Sequence, residues 1–225
     1  MKLDKLVYDI REGLKEYSDD SEFSNRYIEY LIGINRSFYL KQELDKFGSS
    51  FNTSILQSFC SPIEKVNANE CGITLGCDYI YRTSLAIPEL LQLSTRDALY
   101  RVASVNRLSK PFDIIDRLRA PFANHSIFKK AIKVFLHNDD RLYFILPTDD
   151  TLLENVSITG VFEDPLDLAL ERYCTECNTE CYDPYEHNYP LTPHLIKLVR
   201  NDIIRELSGR ERLKEDTNNN QQDDK

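Results

Sequence analysis

Glycine is scarce in this 225-residue chain, 7 residues in all, and none of it builds a phosphate-binding loop. There is no G-x-G-x-x-G and no G-x-x-x-x-G-K. The one close pair, Gly72 and Gly76 in ECGITLGCD, fits neither pattern, so nucleotide binding through a backbone cradle is excluded. The 4 histidines, His125, His137, His187 and His194, form no H-E-x-x-H and sit in no serine or cysteine nucleophile signature. No apolar run approaches the roughly 18 residues that mark a membrane-spanning helix. The opening MKLDKLVYDIREGLKEY has acids inside its apolar pattern and no small-residue cleavage site, so synthesis in a cytoplasm and retention there are expected. Basic clusters interleaved with aromatics are missing too. With a formal net charge of -9, the chain gains little from neutralising phosphates, which excludes a DNA clamp but not DNA passing close by.

What is present is the material of a folded protein: 41% hydrophobic, 29% charged and 11% aromatic residues. The length suits one compact domain with a tail. Leu3, Leu6, Val7, Ile10 and Leu14 fall at helical steps, and SDDSE stops that helix. Asp19, Asp20 and Ser21 are placed to cap a second helix over 23–47, with Tyr27, Leu31, Ile34, Phe38, Leu44 and Phe47 on related faces and GSS ending it. Residues 1–50 thus predict an antiparallel helical hairpin. The middle, 51–165, is mixed and β-rich. LYRVASV, IKVFLHNDDRLYFIL and VSITGVF read as strands, Asn138, Asp139 and Asp140 form a hairpin turn, and Val156, Ile158, Gly160 and Phe162 share a face. PFDIIDRLRAPFAN predicts a short helix between Pro111 and Pro121. After a cysteine-rich loop over 166–192, Thr192 as N-cap, Pro193 at the first turn and Gly209 past the end frame a helix over 193–208. Its stripe is Leu195, Val199, Ile203 and Leu207, which the chain's own body or an adjoining protein must cover. Residues 209–225 read as a polar tail with little to bury. No internal repeat is visible. The expected class is α+β: a helical hairpin and a C-terminal helix packed with a small, mostly antiparallel sheet.

Chemistry concentrates in CTECNTECYDPYEH, where Cys174, Cys177, Cys181 and His187 are the candidate metal ligands. Structural zinc usually draws two ligands from each of two knuckles well separated in sequence. All four here lie within one short loop, although Cys71 and Cys77 could supply a second half. Reduced loop cysteines without metal are therefore expected, open to oxidation in vitro, and in a reducing compartment the even count of 6 Cys is not evidence for a disulfide framework. Asp139 with Asp140 and Asp149 with Asp150 occupy polar turns, where solvated charge is the expectation rather than acid–base work. No enzyme activity and no cofactor are expected. An adaptor with a zinc knuckle is the alternative, and a hydrolase whose carboxylates converge only on folding is a weaker one.

Three stretches carry a resemblance: the opening MKLDKLVYDIREGLKEYSDDSEFSNRYIEYLIGINRSFYLKQELDKF, the following NTSILQSFCSPIEKVNANECG, and the closing YPLTPHLIKLVRNDIIREL. Together they resemble the structural proteins of the neck, or head-to-tail connector, in crAss-like short-tailed bacteriophages. The resemblance implies a virion ring stacked beneath the portal, generally in twelve copies, assembled in the host cytoplasm and passed by the genome at ejection. Its partners would be further copies of the chain, the portal protein and adjoining neck or tail rings, with DNA in the lumen and no membrane. Helices would pack side by side, with Tyr27, Leu31, Ile34, Phe38, Leu195, Val199, Ile203 and Leu207 as the candidate interface, and β elements would contact the next ring.

Overall fold

A computed structural model describes residues 1–15, 23–48, 52–68, 79–105, 110–125, 131–146, 153–170, 173 and 181–219. The chain divides into two compact units rather than one. The first joins Met1–Ile55 to Asp183–Lys225, and the second is Leu56–Tyr182.

The first unit is helical. Helix α1, Leu3–Lys15, buries the expected stripe of Leu3, Leu6, Val7, Ile10 and Leu14. Helix α2, Asn25–Phe47, is capped by Ser24, whose side-chain oxygen accepts the Tyr27 N–H at 3.2 Å. The caps expected at Asp19, Asp20 and Ser21 lie outside the described residues. Gly48 ends α2 at φ +62°, a left-handed conformation that glycine adopts without steric cost, and its N–H reaches the Leu44 carbonyl. The buried row of α2 is Ile28, Ile32, Arg36, Leu40 and Leu44, a ridge at four-residue spacing of the kind that packs into the groove of another helix. Helix α3, Pro193–Asn219, starts as expected: Thr192 Oγ1 accepts the Leu195 N–H at 3.4 Å and Pro193 occupies the first turn. It does not stop at Gly209, which is outside the left-handed region. Arg210, Glu211, Arg212, Leu213 and Lys214 are strong helix formers, and the helix continues through them to Asn219.

Both α1 and α2 pack more extensively on α3 than on each other, so α3 is the centre of this unit. Gly13 makes that approach close, since a Cβ there would sit 2.5 Å from Ile204 Cδ1. Arg200 Nε donates to Asp9 Oδ2 at 2.6 Å, and the Tyr39 hydroxyl donates to Asp202.

The second unit is built on seven strands: β1 Gln57–Asn67, β2 Tyr79–Thr83, β3 Leu99–Ser104, β4 Asp113–Ile114, β5 Lys133–Leu136, β6 Leu142–Ile145 and β7 Asn155–Gly160. They lie in the order β3-β7-β1-β2-β6-β5-β4, antiparallel except for β4 with β5. The sheet is larger than the small one expected. Strand β1 pairs with β7 over Gln57 to Pro62 and with β2 over Ile63 to Asn67, so one long strand turns the corner between the two halves. At the far ends, the Phe112 N–H donates to the Val102 carbonyl at 2.7 Å and Pro111 bridges Ala103, which curls the sheet into a nearly closed barrel.

Phe59, Val102, Val134, Leu142, Phe144, Val156, Ile158 and Phe162 fill the inside. Because side chains alternate along a strand, Phe135, Tyr143 and Ile145 point the other way, into a second cluster with Ala120 and Ala123. Those alanines belong to Arg117–His125, a 3-10 segment that runs straight through Pro121. The helix expected between Pro111 and Pro121 is thus replaced by the short strand β4 and this segment. The hairpin turn is as expected, with Asp140 at φ +55°.

Candidate assembly surfaces

The candidate interface residues separate into a covered set and an open one. Leu31, Leu195, Val199, Ile203 and Leu207 are buried among the helices of their own unit. Of the two ways to cover the α3 stripe, the chain uses its own body. Tyr27 is half-buried, with its ring 6.2 Å from that of Phe23. Ile34 and Phe38 face outward at 49% and 56% exposure, and Tyr30, one turn earlier on the same four-residue row, is 63% exposed. Beside this row Gly33 leaves a notch, for a Cβ built there meets nothing within 4 Å. Periodicity missed Tyr30 because a second row of α2, shifted by two residues, is the buried one. Arg36 in that buried row disguises it: its Nε donates to the Pro190 carbonyl at 3.3 Å and its guanidinium lies 5.9 Å from the centre of the Tyr189 ring.

The second unit has an exposed apolar projection of its own. Leu118 and Phe122 stand out at 80% and 72% exposure on the 3-10 segment, and Ile114 of the edge strand β4 is exposed nearby in sequence. Ala120 and Ala123 anchor the segment from below, and the Lys133 ammonium holds the Ala123 carbonyl at 2.8 Å. The projection is therefore presented by a packed element.

Polar chemistry on the barrel wall is internally matched. Glu64 Oε1 accepts from Arg82 Nε at 2.7 Å and from an Arg141 guanidinium nitrogen at 3.1 Å. The Tyr143 hydroxyl donates to Asp139 at 2.9 Å, and His137 lies 3.3 Å from the other Asp139 oxygen. The hydrogen bond to Tyr143, ahead of the one to Glu64, raises Arg82 above its ordinary value against the lowering effect of burial. Each charge faces an opposite charge or a hydroxyl, the arrangement of a structural network rather than a reactive site.

Glu89, Asp97 and Asp140 line a pocket with Ile87, Leu90 and Leu136, yet among the described residues no three His, Cys, Asp or Glu side chains are placed to hold a metal ion. Asp149 and Asp150 lie outside the described residues, as do Cys71, Cys77, Cys174 and Cys177.

Of the metal candidates, Cys181 departs from the expectation of reduced thiols. Cys60 and Cys181 are both disulfide-bonded, so Cys181 offers no thiolate to zinc. Pairing follows proximity in the fold, which sequence spacing does not encode. His187 Nδ1 accepts the Asp183 N–H at 2.9 Å while the His187 N–H returns to the Asp183 carbonyl at 2.8 Å, so the imidazole closes a turn.

Two comparisons bear on what these surfaces are for. A family model described as phage tail ring protein 2 matches residues 5–225. A relative named ring protein 2, from Bacteroides phage crAss001, is 27% identical over 226 residues, covering 100% of this chain and 98% of the relative.

Proposed function

The chain belongs to the family of phage tail ring proteins described as phage tail ring protein 2, a family of virion structural proteins, and from that membership we propose that it is a head-to-tail connector of the phage neck. Copies of the chain close into a ring, twelve in number, that joins the portal to the tail and lines the passage of the genome, after assembly in the host cytoplasm. The observation that carries this reading is the family match over 5–225, which includes both the helical unit and the barrel. Charge supports it. At -9 per chain, twelve copies carry on the order of -100, and an acidic lumen repels the phosphate backbone at short range instead of gripping it. The outward row of Tyr30, Ile34 and Phe38 supplies an apolar contact between copies, since exposed apolar side chains grouped on one helix face mark an interaction site.

Imaging of the virion tests the reading. Density for this chain is expected as a twelve-fold ring between portal and tail, with DNA on its axis. Location elsewhere in the particle, or a ring through which no DNA passes, would overturn the connector role while leaving the family intact.

A further inference from the structure

Resting on the ring reading above, we infer that the contact between neighbouring copies is heterologous, with the Leu118–Phe122 projection of one copy seated on the Tyr30–Ile34–Phe38 row of the next. Symmetry sets the requirement. A cyclic ring of more than two copies cannot pair a patch with itself, so each chain must present two different patches that fit each other. This chain carries such a pair, one on α2 and one on the 3-10 segment Arg117–His125.

Shape and area agree with the pairing. The row is a ridge flanked by the open notch at Gly33, and the projection offers two large exposed side chains, Leu118 and Phe122, to set against it. Side chains at these exposures put a few hundred Å² of apolar surface on each patch, the size at which an exposed patch marks an interaction site. Covering one with the other removes on the order of 800 Å² in total, about half of a standard interface of roughly 1,600 Å². More than half of such an interface is apolar, and a polar rim contributes the rest. Arg117 and Arg119 flank Leu118, while Arg26 and Lys41 border the row, so both rims are basic and the apolar pair carries the contact against their repulsion.

The test uses the full-length chain and two double variants, all four positions being solvent-exposed. One variant, Ile34→Glu with Phe38→Glu, loses the row and keeps the projection. The other, Leu118→Glu with Phe122→Glu, loses the projection and keeps the row. By native mass spectrometry the wild type is expected as a closed ring and each variant alone as a monomer. Their equimolar mixture is expected to stop at a one-to-one dimer, because a single intact projection–row contact remains. Circular dichroism matching the wild type confirms that the variants are folded. A parallel measurement needs no variant: in a wild-type ring assembled from equal parts of 14N and 15N chain, an amine cross-linker is expected to join Lys41 of one copy to Lys133, whose ammonium sits on the projection's own segment, of another. Wild-type rings that persist in both variants, variants that dimerise alone, or rings without the inter-copy Lys41–Lys133 link would overturn the pairing and leave the ring reading standing. A wild-type chain that stays monomeric at every concentration and on the portal would overturn the ring reading, and this pairing with it.

Discussion

Gly160 shows what one absent side chain does for the barrel. It lies on β7 with an ordinary negative φ, so backbone freedom is not its purpose. A Cβ there would lie 2.9 Å from Leu90 Cδ2 and 3.0 Å from the Ala98 carbonyl oxygen. The leucine can turn aside, but the carbonyl is fixed by the Val161 N–H at 3.0 Å. Gly160→Ala is therefore expected to cost about 1–3 kcal/mol, as overpacking does. The urea midpoint should fall with an unchanged slope, and an unchanged midpoint would mean that the strand yields. Tyr39 acts through its proton. Its hydrogen bond to Asp202, then burial and the negative charge of that carboxylate, raise the phenol above its ordinary value of 10.0. The folded state thus favours the protonated form. The stability this adds is complete below pH 10.0 and disappears as pH rises through the higher folded value. Tyr39→Phe should be less stable than the wild type at neutral pH, with the gap closing in strong alkali. A gap independent of pH would show that the ring packs there without the proton mattering.

Elements were legible where one physical signal acted alone. The α1 stripe and the Thr192–Pro193 start of α3 could be read directly, because helical spacing and cap chemistry are local. The alternation of β7 survived for the same reason, with Val156, Ile158 and Gly160 buried and Ser157 and Thr159 less so. Helix α2 was read only partly on its buried face, with Leu31 and Leu44 covered as read but Ile34 and Phe38 outward, because the buried ridge includes Arg36, whose burial depends on a carbonyl and a ring more than 150 positions away in the chain. Strand β1 was missed since Pro62 sits in its middle, and a proline within a run argues against a strand. Here Pro62 falls where the strand changes partners, so the missing N–H costs no continuous ladder. The end of α3 was misplaced because Gly209 suits a helix stop but does not force one. This makes a sharp expectation for the element. Among the residues of α3 whose burial is described, the last buried are Leu207 and Ser208, and a chain ending at Gly209 should keep its thermal stability within about 1 kcal/mol. Removing 193 onward takes away Leu195, Val199, Ile203 and Leu207 and should leave an aggregating protein with α1 and α2 uncovered. A large loss of melting temperature on truncation at Gly209 would place the last turns of α3 within the folded core.

At the scale of the whole molecule, one unit is inserted into the other. The helical unit takes both ends of the chain, and the barrel occupies the intervening Leu56–Tyr182. Folding order follows from this connection. The barrel can close as soon as it is made, whereas α1 and α2 lack their main partner until α3 arrives. Covalent cross-links fall on the same side of the division: all 6 cysteines lie within 56–182, and Cys60 and Cys181, near the two ends of that stretch, are disulfide-bonded. The segment 56–182 expressed alone should therefore fold, with β-type circular dichroism and one cooperative transition. A reductant should lower its stability by about 2–4 kcal/mol, because breaking a cross-link restores freedom to the unfolded chain. Residues 1–55 alone should remain largely unstructured, since short isolated helices are marginal in water. An unfolded 56–182 under oxidising conditions would mean that the barrel is completed by the helical unit, and that the two fold only as one.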